Sequence, residues 1–402
     1  NVEKYDVMAV LGNCATMETL LQAGVNNADL LIAMTGADEL NLLCSMTAHG
    51  INPNIHTIAR ICNPDYTDQV YKMQKTFALS LTVNPEKQAA IEIERLLKFP
   101  GFLKRDSFAK GRVEIVELRV DERSRLCNVA LSELNRVIKC RVLICAVLRR
   151  GDVVAPDGSF VLREGDRIFV TASTEILATL LDNLGIITKK VNHVMICGGG
   201  RVSYYLAQQL EKDGMTVRLI EKDPKHCEEL AALLPKTEII NDDASNTFVL
   251  KRENLESCDA LVTATGMDEL NMIISLYGTK HGVSQVITKL GHMENGSMID
   301  QLPIGSTIWP KDLCCNGIVR YIRAMHNQTG AAVSVHSIAD GKAEAIEFHV
   351  EEKKPYCDKP LKNMKVKQNI LVACITHGGV TELPGGDSVI REGDTVVVVT
   401  TR

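Results

Sequence analysis

The residues best suited to chemistry sit in one short stretch. Val194-Met195-Ile196-Cys197 runs into Gly198-Gly199-Gly200-Arg201-Val202-Ser203, and a helical pattern over residues 204–212 follows until Gly214. This is a Gly-x-Gly-x-x-Gly turn between a strand and a helix, with Ser203 in the third place. Such a turn binds anions. Gly198 permits the tight strand-to-helix reversal, and Gly200 lacks a Cβ, so a pyrophosphate can approach the backbone. The helix start offers free N–H groups and a partial positive charge. Ser203 is the smallest polar substitute for the glycine that lets helix and strand pack. A second strand run, residues 217–220, ends in Glu221, and 221 − 198 = 23 places it near the spacing of about 20 expected for a ribose-binding acid. An acid there favours free ribose hydroxyls, so NAD(H) or an adenine nucleotide (ATP or ADP) is preferred over NADP. The alternative is a relic turn that no longer binds.

Other candidates lie at the ends of neighbouring strand runs, along the carboxyl edge where open α/β sheets bind ligands. Asp243 and Ala244 follow the run 238–240, Thr265-Gly266 closes the run 260–265, and Lys289 lies near the end of the run 285–290. Asp243 either contacts the adenosine or caps a helix starting near Ser245. Arg201 either bonds phosphate or is a solvated charge. Asp268-Glu269-Leu270-Asn271, and its copy Asp38-Glu39-Leu40-Asn41, cap a helix at minimum. Machinery for a reaction is harder to find. The ten His are scattered, and a lone one such as His292 reads as structural. There is no Gly-x-Ser-x-Gly elbow, P-loop or His-Glu-x-x-His. The thirteen Cys have no zinc-like spacing and read as reduced core thiols of a cytosolic protein, with Cys314-Cys315 in core or interface. A sensor is favoured over an NAD-dependent oxidoreductase, and a scaffold with inactive nucleotide folds stays open as a third reading.

The elements that must position these residues repeat along the chain. Residues 28–42 and 258–272 share Thr-Gly-x-Asp-Glu-Leu-Asn, at an offset of 268 − 38 = 230. Arg163-Glu164-Gly165-Asp166 matches Arg391-Glu392-Gly393-Asp394, at 391 − 163 = 228. The chain therefore reads A–B–A–B. In part A, apolar runs (7–11, 30–34 and 55–61, then 193–197, 217–221, 238–240, 260–265 and 285–290) alternate with helical patterns, which predicts a parallel sheet covered on both faces. Part B is a small α+β module: β runs at 113–120, 141–148 and 160–170, with one helix at about 130–137. Its second copy runs from about residue 343 to the end. The fold class is α/β, two Rossmann-like parallel-sheet subdomains each followed by a small α+β subdomain, with boundaries at 1–108, 109–188, 189–330 and 331–402. The first copy of A lacks its opening βαβ unit and glycine turn.

The 402 residues suffice for two to three domains, and 45% hydrophobic with 24% charged residues is ordinary for a globular protein. Net charge is 45 − 50 = −5 and aromatics are 4%, which disfavours nucleic acid as a partner. No apolar run approaches the roughly 20 residues of a membrane span. Asn1 to Asp6 hold neither a signal peptide nor an initiator Met, so the chain reads as a fragment or a processed form.

The A–B–A–B order, with Gly198-Gly199-Gly200, Glu221, Asp242-Asp243-Ala244, Arg60 and the repeated Thr-Gly-x-Asp-Glu-Leu-Asn, resembles the TrkA family of tandem RCK (KTN) proteins. The resemblance implies a non-enzymatic regulatory subunit of potassium uptake. It would be cytoplasmic, peripheral on the inner face of the plasma membrane, attached to a TrkH-like transporter and self-associated into a gating ring. NAD(H), ATP or ADP would bind the Rossmann-like units. The helical patterns at 86–97 and 313–325 are candidates for an exchanged interface, or ordinary core.

Overall fold

The computed structural model describes residues 7–401 except 99–101, 109–111, 122–123, 185–189, 292–298, 300–301, 327–333, 340–341 and 365–368. Residues 1–6, Arg402 and His292 thus lie outside the described residues. The chain divides into two compact units, residues 1–89 with 310–321, and residues 90–309 with 322–402.

In the first unit, β1 (Leu30–Ala33), β2 (His56–Arg60) and β3 (Leu81–Val83) form a parallel sheet in that order. Helices Asp38–Ile51 and Pro64–Lys72 connect them. The second helix begins where the local sequence dictates. The Asn63 side chain accepts the Asp65 N–H, and Pro64 occupies the first turn, where its missing N–H costs nothing. The expected strand at residues 7–11 does not form, and Val7, Met8 and Leu11 are exposed. Its counterpart in the second copy, Glu238–Asn241, is a strand paired in parallel with Thr216–Glu221.

The second unit opens on one small sheet of β4 (Lys104–Phe108), β5 (Val113–Arg119), β6 (Leu143–Arg149), β7 (Asp152–Val154) and β8 (Arg167–Ser173), antiparallel in the order β4-β5-β8-β6-β7. The expected strand 160–170 is a strand only from Arg167. The turn Arg163-Glu164-Gly165-Asp166 intervenes, with Gly165 at φ +85°, and Val161 only bridges Ala130. The expected helix 130–137 is a 3₁₀ turn, Leu131–Glu133, running into a single α turn, Leu134–Val137.

A six-stranded parallel sheet follows: β9 (His193–Cys197), β10 (Thr216–Glu221), β11 (Glu238–Asn241), β12 (Ala260–Thr263), β13 (Gln285–Lys289) and β14 (Ser306–Ile308). Their order is β11-β10-β9-β12-β13-β14. The order reverses between β9 and β12, which opens a crevice at their carboxyl ends. Helix Arg201–Lys212 covers one face because Val202, Leu206, Ala207 and Leu210 fall on one stripe and are buried. Gly214, at φ +76°, turns the chain away after it.

The last sheet has the topology of the first small one. β15 (Ser334–Ile338), β16 (Ala343–His349), β17 (Ile370–His377), β18 (Val380–Glu382) and β19 (Thr395–Thr401) lie in the order β15-β16-β19-β17-β18. Even the irregularity repeats, between Ile144 and Ala146 in one copy and between Val372 and Cys374 in the other. This second B sheet starts at Ser334, before the expected 343. The two small sheets share one apolar core, built from Phe108, Ile115 and Phe169 of the first and Ala343, Ala345 and Val397 of the second.

Candidate functional site

The crevice is lined by backbone first. Gly198, at φ +98°, ends β9, and a methyl group on it would lie 2.8 Å from the Thr265 Cα. The reversal and the close approach of the β9 and β12 ends therefore both require glycine here. The Gly199 N–H donates to Glu221 Oε2 (2.7 Å), and the Asp223 N–H donates to Glu221 Oε1 (2.9 Å). Glu221 thus closes β10 as expected and also pins the glycine turn. A carboxylate has about four acceptor sites, so two backbone donors leave room for ribose hydroxyls. Gly200 precedes the helix at φ −63°, ψ 178°, and a methyl group there would meet nothing within 4 Å. Its bareness keeps open space at the helix start.

The helix that follows presents the first-turn N–H groups of Arg201, Val202 and Ser203, since intrahelical bonding begins with Tyr204 N–H to Gly200 O (3.0 Å). Val202 and Ser203 are buried, and the Ser203 hydroxyl has no hydrogen-bond partner among the described residues. Arg201 is exposed. These features fit a dinucleotide's pyrophosphate: an open approach, free donors and an orphan hydroxyl.

One residue that the motif spacing does not single out also belongs here. His226 lies near the start of helix Pro224–Leu233, where Asp223 caps the Lys225 and His226 N–H groups. Its Nε2 lies 2.9 Å from the Gly199 carbonyl and its Nδ1 lies 3.1 Å from Glu229 Oε2. Two acceptors suit an imidazolium, and its pKa is raised, first by Glu229 and further by the Gly199 carbonyl and Glu221. The one signal in the sequence is its position after an N-cap, five residues beyond Glu221.

The other candidates are tied to the crevice more locally. Asp243 does not cap a helix: its Oδ1 accepts the Ser245 N–H (2.8 Å), which lowers its pKa, and Asn246 is the cap of helix Thr247–Arg252. Asp243 itself is exposed and Ala244 is buried behind it. Thr265, beside Gly266, holds Asn271 and Lys289 together. Asn271 Oδ1 accepts both the Thr265 N–H (2.9 Å) and its hydroxyl (2.7 Å), Asn271 Nδ2 donates to the Lys289 carbonyl (3.0 Å), and Lys289 Nζ donates to the Thr265 carbonyl (2.7 Å). Asp268 is not a helix cap either. Its carboxylate accepts the Gly291 N–H at 2.8 and 2.9 Å, fastening helix Asp268–Lys280 to the loop after β13. In the first copy, Asn41 joins the Thr35 N–H (2.8 Å) to the Arg60 carbonyl (2.9 Å), Arg60 Nη1 donates to the Thr35 carbonyl (3.3 Å), and Asp38 accepts the Cys62 and Asn63 N–H groups (2.9 and 2.7 Å). The repeated motif is therefore a clamp between strand ends and helix start, made in both copies.

All thirteen cysteines are free thiols. Burial pushes Cys197, directly before the turn, up to about 12, so it stays a thiol. Cys314 is buried and Cys315 exposed. No group of three or more His, Cys, Asp or Glu suited to a metal ion occurs among the described residues.

The chain as a whole is similar to known proteins. The TrkA-N domain family matches residues 1–81 and 194–310, and the TrkA-C domain family matches residues 115–185 and 345–402. The TrkA homolog of Archaeoglobus fulgidus, named a Trk system potassium uptake protein, is 30% identical over 397 residues, 99% of this chain and 88% of the relative. TrkA homolog 1 of Methanosarcina mazei is 29% identical over 98% of this chain and 88% of its own. TrkA of Haemophilus influenzae is 28% identical over 98% and 86%. Among solved structures, the GsuK RCK domain is alike at a TM-score of 0.62 and 14% identity, over 100% of this chain and 84% of that one. The GsuK channel bound to NAD is alike at 0.58 and 15%, over 97% and 68%.

Proposed function

The chain belongs to the TrkA family, and from that membership we propose that it is a nucleotide-sensing regulatory subunit of a potassium uptake system rather than an enzyme. The observation that carries the sensing role is the bare, open helix start at Gly200 with the orphan Ser203 hydroxyl behind it. The ligand is NAD(H) or an adenine nucleotide, ATP or ADP; the GsuK channel, of the same fold, has been solved bound to NAD. What every one of these ligands supplies is an anionic phosphate chain joined to the ribose of an adenosine.

This chain's residues do the rest. The turn Gly198, Gly199 and Gly200, with the first-turn N–H groups of Arg201, Val202 and Ser203, receives the phosphates. Glu221 accepts ribose hydroxyls, Asp243 and Ala244 flank the adenosine, and Thr265, Gly266 and Lys289 close the far side. Binding regulates only through a difference in affinity between two states of the assembly. Glu221 and His226 both hold Gly199, so a ligand that engages either changes the stiffness of the turn.

No described helix is long and apolar enough to cross a membrane. The subunit acts from the cytoplasmic face, docked on a TrkH-like membrane transporter and associated with its own kind in a ring. Calorimetry with NAD+, NADH, ATP and ADP tests the site. Wild type should bind at least one, and Gly200→Val should abolish it. A wild type that binds none of the four ends the sensing proposal.

A further inference from the structure

The two small sheets pack about an approximate two-fold axis. Arg112 Nη1 donates to the Gly379 carbonyl, and Lys342 Nζ donates to the Gly151 carbonyl. These are the same contact made twice, because 112 + 230 = 342 and 151 + 228 = 379. Such reciprocity marks an isologous interface, in which a residue on the axis meets its own counterpart. Asp106 and His336 are counterparts (106 + 230 = 336), and they meet, Oδ1 to Nδ1, at 3.0 Å.

An isologous surface can close on itself, so each sheet has two potential partners: its sister in the same chain, or the identical sheet of another chain. The side chains discriminate. At three counterpart positions in the shared core the first sheet carries the larger residue: Phe108 against Ile338, Ile115 against Ala345, Phe169 against Val397; at Ala146 against Cys374 the order is reversed. All eight are at most 2% exposed.

We propose that this surface is built for heterotypic pairing, one sheet supplying bulk and the other space, with Asp106 and His336 fixing the choice on the axis. Two first-type sheets would bring Phe and Ile against Phe and Ile and set Asp106 against Asp106. Two second-type sheets would set Ala against Ala and leave voids. Like carboxylates at the centre and mismatched volume are repulsive elements against the wrong partner. The interface therefore closes within one chain.

The test uses the whole chain and thermal denaturation. His336→Asp, which sets Asp against Asp, should lower the Tm by several degrees, and Asp106→His/His336→Asp should restore most of it. Ile115→Ala and Ala345→Ile should each lower the Tm. The double variant Ile115→Ala/Ala345→Ile, which moves the bulk to the counterpart site, should lose less than the sum of the two. Strict additivity in both pairs overturns the proposal. So does a His336→Asp chain as stable as wild type. The axis pair is partly solvated, so its variants keep the experiment decisive if the core variants do not fold.

Discussion

One methyl group separates the roles of Gly198 and Gly200. On Gly198 it enforces a left-handed backbone on a non-glycine residue and strikes the Thr265 backbone. Gly198→Ala should therefore lose about 1–3 kcal/mol from strain alone, with the clash added, read as a lower denaturant midpoint. On Gly200 the methyl meets open space. Gly200→Ala should leave stability within about 0.5 kcal/mol yet weaken nucleotide binding at least about tenfold, or 1.4 kcal/mol. Equal loss of stability in both variants would contradict the assignment. His226 provides a pH signature. Its folded pKa is raised, so its contribution is complete below the unfolded value of about 6.5 and fades as pH climbs through the folded value. The Tm difference between wild type and His226→Ala should accordingly be larger at pH 6 than at pH 8.5. A difference that grows with pH would show that His226 holds the turn as a neutral ring.

Among the elements, the Thr-Gly-x-Asp-Glu-Leu-Asn segment is legible in the chain as a repeat, but its purpose is not. Sequence position predicts a cap from Asp268, because the residue opens a helix. The fold instead sends its carboxylate to the Gly291 N–H, across the sheet edge, and sequence spacing carries no record of that neighbour. Asn271→Ala should strand the Thr265 N–H and remove one donor from the Lys289 carbonyl, costing about 1–3 kcal/mol. Asn41→Ala should cost a similar amount in the first copy, where Thr35 and Arg60 depend on it. An Asn41→Ala chain with an unchanged Tm would contradict the clamp. The Arg-Glu-Gly-Asp turns are a second case. Asp166 is buried, and its two oxygens each take one guanidinium nitrogen of Arg149 at 2.7 Å, while Oδ2 also takes the Arg163 N–H at 2.8 Å. Asp394 takes His377 in the counterpart turn.

For the whole molecule, the ring reading has a plain consequence: sedimentation should give a mass several times the 44.2 kDa of one chain. A strict monomer at micromolar concentration would remove the basis for ring gating. What the amino-acid sequence determined by itself was the α/β class, the strand–turn–helix succession at the glycine turn and the twofold repetition. All of these follow from local periodicity and from glycines that a tight turn requires. The sequence spacing also foretold that Glu221 closes the strand beside the turn of Gly198 and Gly200, because the lengths of one helix and one strand set that distance. Tertiary structure alone decided that the turn Arg163-Glu164-Gly165-Asp166 delays β8, that His226 reaches back to Gly199, and that the two B sheets share one core. Each depends on a partner distant in sequence, and a carboxylate, an imidazole or an apolar face acquires its role only when that partner is folded against it.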